Sequence, residues 1–150
     1  MNKRIFIVAF FAFLFLAGSV YAAIGITELR TEQLRNPLGI DVRQPRLSWR
    51  IESDEQNVMQ TAYHILVASS PELLAQGKGD MWDSGKIETD ASQWITYQGE
   101  PLKCNAPYYW KVKVYTNKGE ANWSNPAFWS MGLFNEADWR GQWIGLDRAA

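Results

Sequence analysis

The sequence predicts an all-β sandwich of about seven antiparallel strands. Two observations carry this. The run Tyr108-Tyr109-Trp110-Lys111-Val112-Lys113-Val114-Tyr115 alternates apolar and lysine positions. Successive strand residues point to opposite faces, so one face is apolar while Lys111 and Lys113 are expected in water. Turn signals recur at short spacing along the chain, and strand-like alternation lies between them. A strand buried on one side belongs to an antiparallel sheet.

The first residues stand outside that fold. Lys3 and Arg4 precede thirteen apolar residues from Ile5 to Ala17, and Gly18-Ser19 lead into Val20-Tyr21-Ala22. Residues 1–22 are therefore expected to be a secretory signal cut after Ala22, since a membrane-crossing helix needs roughly 20 apolar residues. The only cysteine, Cys104, is far from that site, so no lipid anchor on a new N-terminal cysteine is expected. The mature chain is expected to be exported, periplasmic or extracellular, with no membrane partner after cleavage. It has no internal disulfide, and its core must hold it together.

About 128 residues then remain, one domain of ordinary size. Without Lys3 and Arg4 the chain has 13 basic against 16 acidic residues, a net charge near −3. That balance excludes an electrostatic case for nucleic acid or an anionic membrane surface.

The first strand is expected near Ile24–Thr31, before the breakers Asn36-Pro37-Leu38-Gly39. The second is Arg46–Glu52, with Leu47, Trp49 and Ile51 on one face and Arg46, Ser48 and Arg50 on the other. In the third, Tyr63, Ile65 and Val67 alternate with Ala62, His64 and Leu66. His64 faces away from the aromatic row as an exposed or half-exposed residue. As the sole histidine, with no cysteine at ligand spacing, it makes no zinc site, and no partner that would orient it as a general base is legible. Ser70 as N-cap, Pro71 at the first helical position and Gly77 at the end mark one or two helical turns, a connector. The fourth strand covers Met81–Ile87, the fifth Gln93–Gln98 and the sixth Tyr108–Asn117. A turn at Asn117-Lys118-Gly119 reverses the chain, and the seventh strand runs over Ala127–Leu133. Domain limits are thus 1–22, 23–134 for the sandwich and 135–150 for a linker or the start of a further β domain. In that last stretch Trp139 and Trp143 need a packing partner.

Leu102 and Tyr108, six apart, together with Trp49 and Ser124-Asn125-Pro126, resemble a fibronectin type III domain, in which a corner tyrosine ties a loop to a strand start. The resemblance narrows over residues 25–147. Leu29-Arg30-Thr31-Glu32, Asn36-Pro37-Leu38-Gly39-Ile40-Asp41, Pro45-Arg46-Leu47-Ser48-Trp49, Gln60-Thr61-Ala62-Tyr63, Val67-Ala68-Ser69-Ser70, Trp82-Asp83-Ser84-Gly85-Lys86 and Tyr108-Tyr109-Trp110-Lys111-Val112 follow one another. In that order they are similar to the N-terminus of bacterial α-L-rhamnosidases of glycoside hydrolase family 78. The resemblance implies an accessory β-sandwich followed by further β domains and a helical (α/α)6 barrel that holds the catalytic carboxylates. Those domains, past Ala150, are the implied partners. No catalytic residue, cofactor or metal is implied within these positions.

Inverting glycoside hydrolysis needs one protonated carboxyl and one carboxylate roughly 6.5–9.5 Å apart. Asp80, Asp83, Glu88 and Asp90 cluster around the fourth strand, but turns favour aspartate, and no apolar pocket to raise a pKa is legible there. The competing reading is an independent carbohydrate-binding module for rhamnose-containing glycans. Eight tryptophans are many for this length. Trp49 and Trp110 belong to the core by alternation, and Trp123 is expected at the start of the last strand. Trp82, Trp94, Trp129, Trp139 and Trp143 are the candidates for sugar or domain contact.

Overall fold

A computed structural model describes residues 24–142. The expected signal segment and Trp143 lie outside the described residues. Eight strands form two facing antiparallel sheets. One contains β1 (Gly25–Thr31), β2 (Arg46–Glu52) and β5 (Ile95–Thr96), in the order β1-β2-β5. The other contains β3 (Gln60–Ala68), β4 (Trp82–Glu88), β6 (Pro107–Thr116), β7 (Gly119–Glu120) and β8 (Ala127–Ser130), with β4-β3-β6 in order and both β7 and β8 on the far side of β6.

Alternation in β2, β3 and β6 puts one face of each strand into a shared core. Leu47, Trp49, Tyr63, Ile65, Val67, Trp110, Val112 and Val114 meet there, with Tyr97, Tyr108 and Trp129. Trp49 and Tyr63 join the sheets edge to face, with ring centroids 5.3 Å apart. The indole N–H of Trp49 donates to Gln60 Oε1 at 3.0 Å, and the Gln60 amide donates in turn to the carbonyls of Thr89 and Ala91. A buried glutamine thereby satisfies the tryptophan and ties the loop before β5 to β3. The corner tyrosine is as the sequence predicts: the Tyr108 hydroxyl accepts from the Lys103 N–H at 2.7 Å, beside buried Leu102.

Several expectations change. The predicted fifth strand, Gln93–Gln98, shrinks to two ladder residues, because Trp94 takes a left-handed backbone with φ 60° that ends the regular pairing with β2. The seventh stops at Ser130. Beyond it Met131 makes a single parallel bridge to Ile40. The segment from Asn36 to Ile40 lies along the outer side of β8, through Phe128 N–H to Asn36 Oδ1 and Ile40 N–H to Ser130 O. A Cβ on Gly132 would come within 2.8 Å of the Gly39 carbonyl, so only glycine allows this approach.

The connector α1 (Pro71–Ala75), capped by the Ser70 hydroxyl, does more than link strands. It folds back over the outer face of the larger sheet, and Leu66, Ala68 and Leu74 form a second small core with Leu73, Tyr109 and Trp123 against it. Trp123 therefore packs on this outer layer. Nor does Lys111 stand in water: its ammonium donates to the Leu74 carbonyl at 2.8 Å and lies over the Trp123 ring. Lys113 pairs with Glu120 at 3.1 Å and lies over Tyr115. The alternation located both lysines on the outer face, but a helix five residues long gave no periodic signal that this face is covered.

Replacing Tyr108 by Phe removes the acceptor of the Lys103 N–H. Urea unfolding is expected to show a loss of about 1–2 kcal/mol. Tyr115→Phe, on the outer face, should stay within about 0.5 kcal/mol.

Candidate functional site

His64 has the partner that the sequence did not reveal. Its Nε2 lies 2.6 Å from Asp83 Oδ1, and its ring packs edge-on against Trp123 with centroids 5.0 Å apart. Asp83 also accepts from the Gly85 N–H at 2.9 Å. That backbone bond and then the histidine hold the Asp83 carboxyl below its ordinary range, against burial. A general acid for glycoside cleavage needs the opposite shift. Asp80 accepts from the Ser69 amide and hydroxyl at 2.9 and 2.6 Å and so closes the loop ahead of β4. Glu88 and Asp90 are exposed. The acidic group is thus one of loop ties and surface charges. Among the described residues, no group of three or more His, Cys, Asp or Glu side chains is arranged to hold a metal ion, and no helix is long and apolar enough to cross a membrane. Cys104 is a half-buried residue of the loop before β6.

Four of the five tryptophans singled out by sequence fall among the described residues, and they separate sharply. Trp129 is withdrawn: it is 0% exposed, packed against Tyr97 and Tyr108, with its N–H directed to Met131 Sδ. Strand alternation places it inward once β8 pairs with β6, a register the short seventh strand did not disclose. Trp82 is half-buried and packs edge to face on Tyr97 with centroids 5.4 Å apart. Trp139 is 57% exposed beyond the last strand.

Trp94 is the exposed aromatic with the most construction around it. It is 48% exposed, and its backbone N–H donates to Ser48 Oγ. The Arg46 guanidinium lies 4.3 Å from its ring centroid. Arg46 is itself held by Glu32, with Nη2 2.6 Å from Oε2 and Nε 3.1 Å from Oε1. The guanidinium hydrogen bond holds the Glu32 carboxyl below its ordinary value of 4.5, against its partial burial.

Trp94 and Trp82 border one cleft of about 330 Å³ at the open edge between the sheets, lined also by Tyr63, Ser84, Ile87, Ile95, Thr96 and Gln98. A second hollow, about 630 Å³, lies at the end where the chain leaves the sandwich and is bordered by Val42, Arg43, Glu100 and Leu102 among others. Around that end Leu38 (75% exposed), Val42, Leu133 and Trp139 leave apolar surface open, and Arg43 stacks on Phe134 at 4.3 Å. Large apolar residues gathered at one end mark a contact surface.

A family model described as Rha78A-like, N-terminal immunoglobulin domain matches residues 26–135. An α-L-rhamnosidase of Formosa agariphila is 42% identical over 113 residues, which are 74% of this chain and 12% of that protein. Among solved structures, that of Streptomyces avermitilis α-L-rhamnosidase complexed with L-rhamnose matches at a TM-score of 0.76 and 39% identity, over 82% of this chain and 12% of that one. The α-L-rhamnosidase structure from Dictyoglumus thermophilum matches at 0.75 and 35% identity, over 83% and 14%. The chain thus spans about 12% of the length of the curated relatives it matches.

Three substitutions separate what these side chains contribute. Trp94→Gly relieves a left-handed backbone while removing a half-exposed ring, and is expected to change folding stability by less than about 1 kcal/mol. Trp129→Ala should cost about 3–5 kcal/mol. The Glu32 carboxyl has a depressed value in the folded chain, so its stabilising contribution is present above 4.5 and is lost as pH falls through the lower folded value. Urea midpoints measured down this acid range should fall more steeply for the native chain than for Glu32→Gln.

Proposed function

The chain belongs to the family of Rha78A-like N-terminal immunoglobulin domains, and from that membership we propose that it is the accessory N-terminal sandwich of an exported α-L-rhamnosidase. The parent hydrolyses terminal α-L-rhamnose from glycans or glycosides. The role of this domain is to pack against the domains that follow it, and catalysis resides in them. The observation that carries this reading is one of proportion: relatives named α-L-rhamnosidase match the chain over most of its length, yet the match covers about 12% of theirs.

The chemistry of the domain supports the same division. Among the described residues, the titratable carboxyls with a resolved shift, Glu32, Glu72 and Asp83, are all lowered. None therefore has the raised value a protonated leaving-group acid requires. Packing surface, by contrast, is plentiful where the chain leaves the sandwich. Leu38 and Val42 flank the bridge between Ile40 and Met131, so they stand beside Leu133 at the point from which a following domain would extend. Export rests on the basic start and the short apolar run of residues 1–22.

The 150-residue chain is expected to release no L-rhamnose from an aryl α-L-rhamnoside, whereas the chain expressed with the sequence that follows it in the gene does. Release by the short chain would overturn the division of labour. Leu38→Asp tests the packing face by thermal unfolding. It should lower the midpoint of the longer protein by several degrees and leave that of the short chain nearly unchanged.

A further inference from the structure

We propose that the cleft between Trp82 and Trp94 binds an uncharged pyranose, with the sugar's C–H face on the Trp94 indole. The inference goes beyond the packing role above and uses a different part of the molecule. Its starting point is the lining: two indoles, Tyr63, Ile87 and Ile95 supply apolar surface, and Ser84, Thr96 and Gln98 supply hydroxyl and amide groups. No acidic or basic side chain lines the cleft. Such a surface offers no counter-charge to a charged ligand, and it matches a molecule that carries hydroxyls around its rim and C–H groups on its faces. The indole face is the negative side of the ring quadrupole and attracts those weakly positive hydrogens. A volume of about 330 Å³ is at the small end for ligand sites and suits one sugar ring rather than a segment of folded protein.

The second observation is that Trp94 is fixed in place by features that do not serve the core. Its φ of 60° is strained for an aromatic residue, and such strain persists only where neighbours enforce it. Here the Ser48 hydroxyl accepts the Trp94 N–H at 3.3 Å, and Arg46 covers the ring while Glu32 grips Arg46. Trp94 lines the cleft and Arg46 does not. With the Arg46 stack in place, 48% of Trp94 stays exposed. A platform immobilised before binding loses little side-chain entropy when a ligand arrives. Across the cleft Trp82 is likewise held, by Tyr97, whose hydroxyl donates to the Met81 and Glu100 carbonyls at 3.0 and 2.8 Å. Next to Gln98, a Cβ on Gly99 would collide with the Met81 carbonyl, so the close approach of this loop to the start of β4 requires glycine.

The test follows the indole N–H resonances of the purified 150-residue chain during titration with L-rhamnose, D-glucose and, as the charged control, D-glucuronate. A saturable shift of the Trp94 resonance with a neutral sugar, weaker or absent with D-glucuronate, is expected. Trp94→Gly should abolish the response while its near-ultraviolet circular dichroism shows an intact core. Gln98→Ala should weaken it about 3- to 10-fold, the worth of one neutral hydrogen bond. Leu38→Asp, at the packing end, should leave it unchanged. The proposal is overturned if no neutral pyranose shifts the Trp94 or Trp82 resonance, if the response survives Trp94→Gly, or if D-glucuronate binds as tightly. It is also overturned if Trp94 in the longer protein is closed to acrylamide quenching, which would make the cleft a domain contact. Rhamnose release by the longer protein is read separately, so loss of the sugar site leaves the accessory-domain reading standing.

Discussion

With a single cysteine in the sequence, no internal disulfide ties the two sheets, and what they bury between them is the main constraint on the fold. Three fully buried tryptophans, Trp49, Trp110 and Trp129, are the largest side chains there, one from each of β2, β6 and β8. Large rings bring a polar N–H with them, and each must be accommodated in a dry interior. Gln60 does so for Trp49 and extends the bond into the loop ahead of β5. Met131 Sδ receives that of Trp129. The Trp110 N–H has no partner among the described residues, and nothing in the structure explains it. The irregular loop after β4 follows from the Gln60 arrangement, because Thr89 and Ala91 must direct their carbonyls at one side chain.

Much of this core was legible because period-two alternation is a local signal. Trp49 and Trp110 sit in runs long enough to fix their face, and the spacing from Leu102 to Tyr108 states its own geometry. What was not legible depends on partners distant in sequence. Trp129 lies in a four-residue strand whose face is set by its pairing with Tyr108. Lys111 reads as a wet residue until a short helix from another part of the chain is laid over it. His64 gains its aspartate only through the pairing of β3 with β4, and that ladder has a register shift between His64 and Leu66. In the candidate site, Trp94 was legible as a candidate for sugar or domain contact. Its left-handed backbone was not, since tryptophan carries no sequence mark for that conformation.

The two edges of the larger sheet are treated differently. On the β8 side the chain returns from Asn36 to Ile40 and occupies the hydrogen-bonding groups of the last strand, so this edge is sealed. On the opposite side β4 pairs with β3 alone, and its facing neighbour in the smaller sheet, β5, is two residues long. A sandwich normally closes here with a longer strand or a covering loop. The short β5 instead leaves a concave gap between the sheets, and Trp82 and Trp94 form its two walls.

That gap is a consequence of one backbone angle. Were Trp94 extended like its neighbours, β5 could continue pairing along β2 past Leu47, where the register already runs from Arg46 and Thr96 to Leu47 and Ile95. Residue 94 would then fall opposite Ser48, which is in fact where its N–H finds the Ser48 hydroxyl in place of a ladder carbonyl. The left-handed turn at Trp94 gives up regular pairing and strains the chain by roughly 1–3 kcal/mol. In return it carries the indole out of the sheet and against Arg46. Stability alone does not favour that exchange, since a glycine at this position would make the same turn without strain. A tryptophan is the costlier choice for the fold, and what it adds is a flat, immobile apolar surface facing an uncharged cleft.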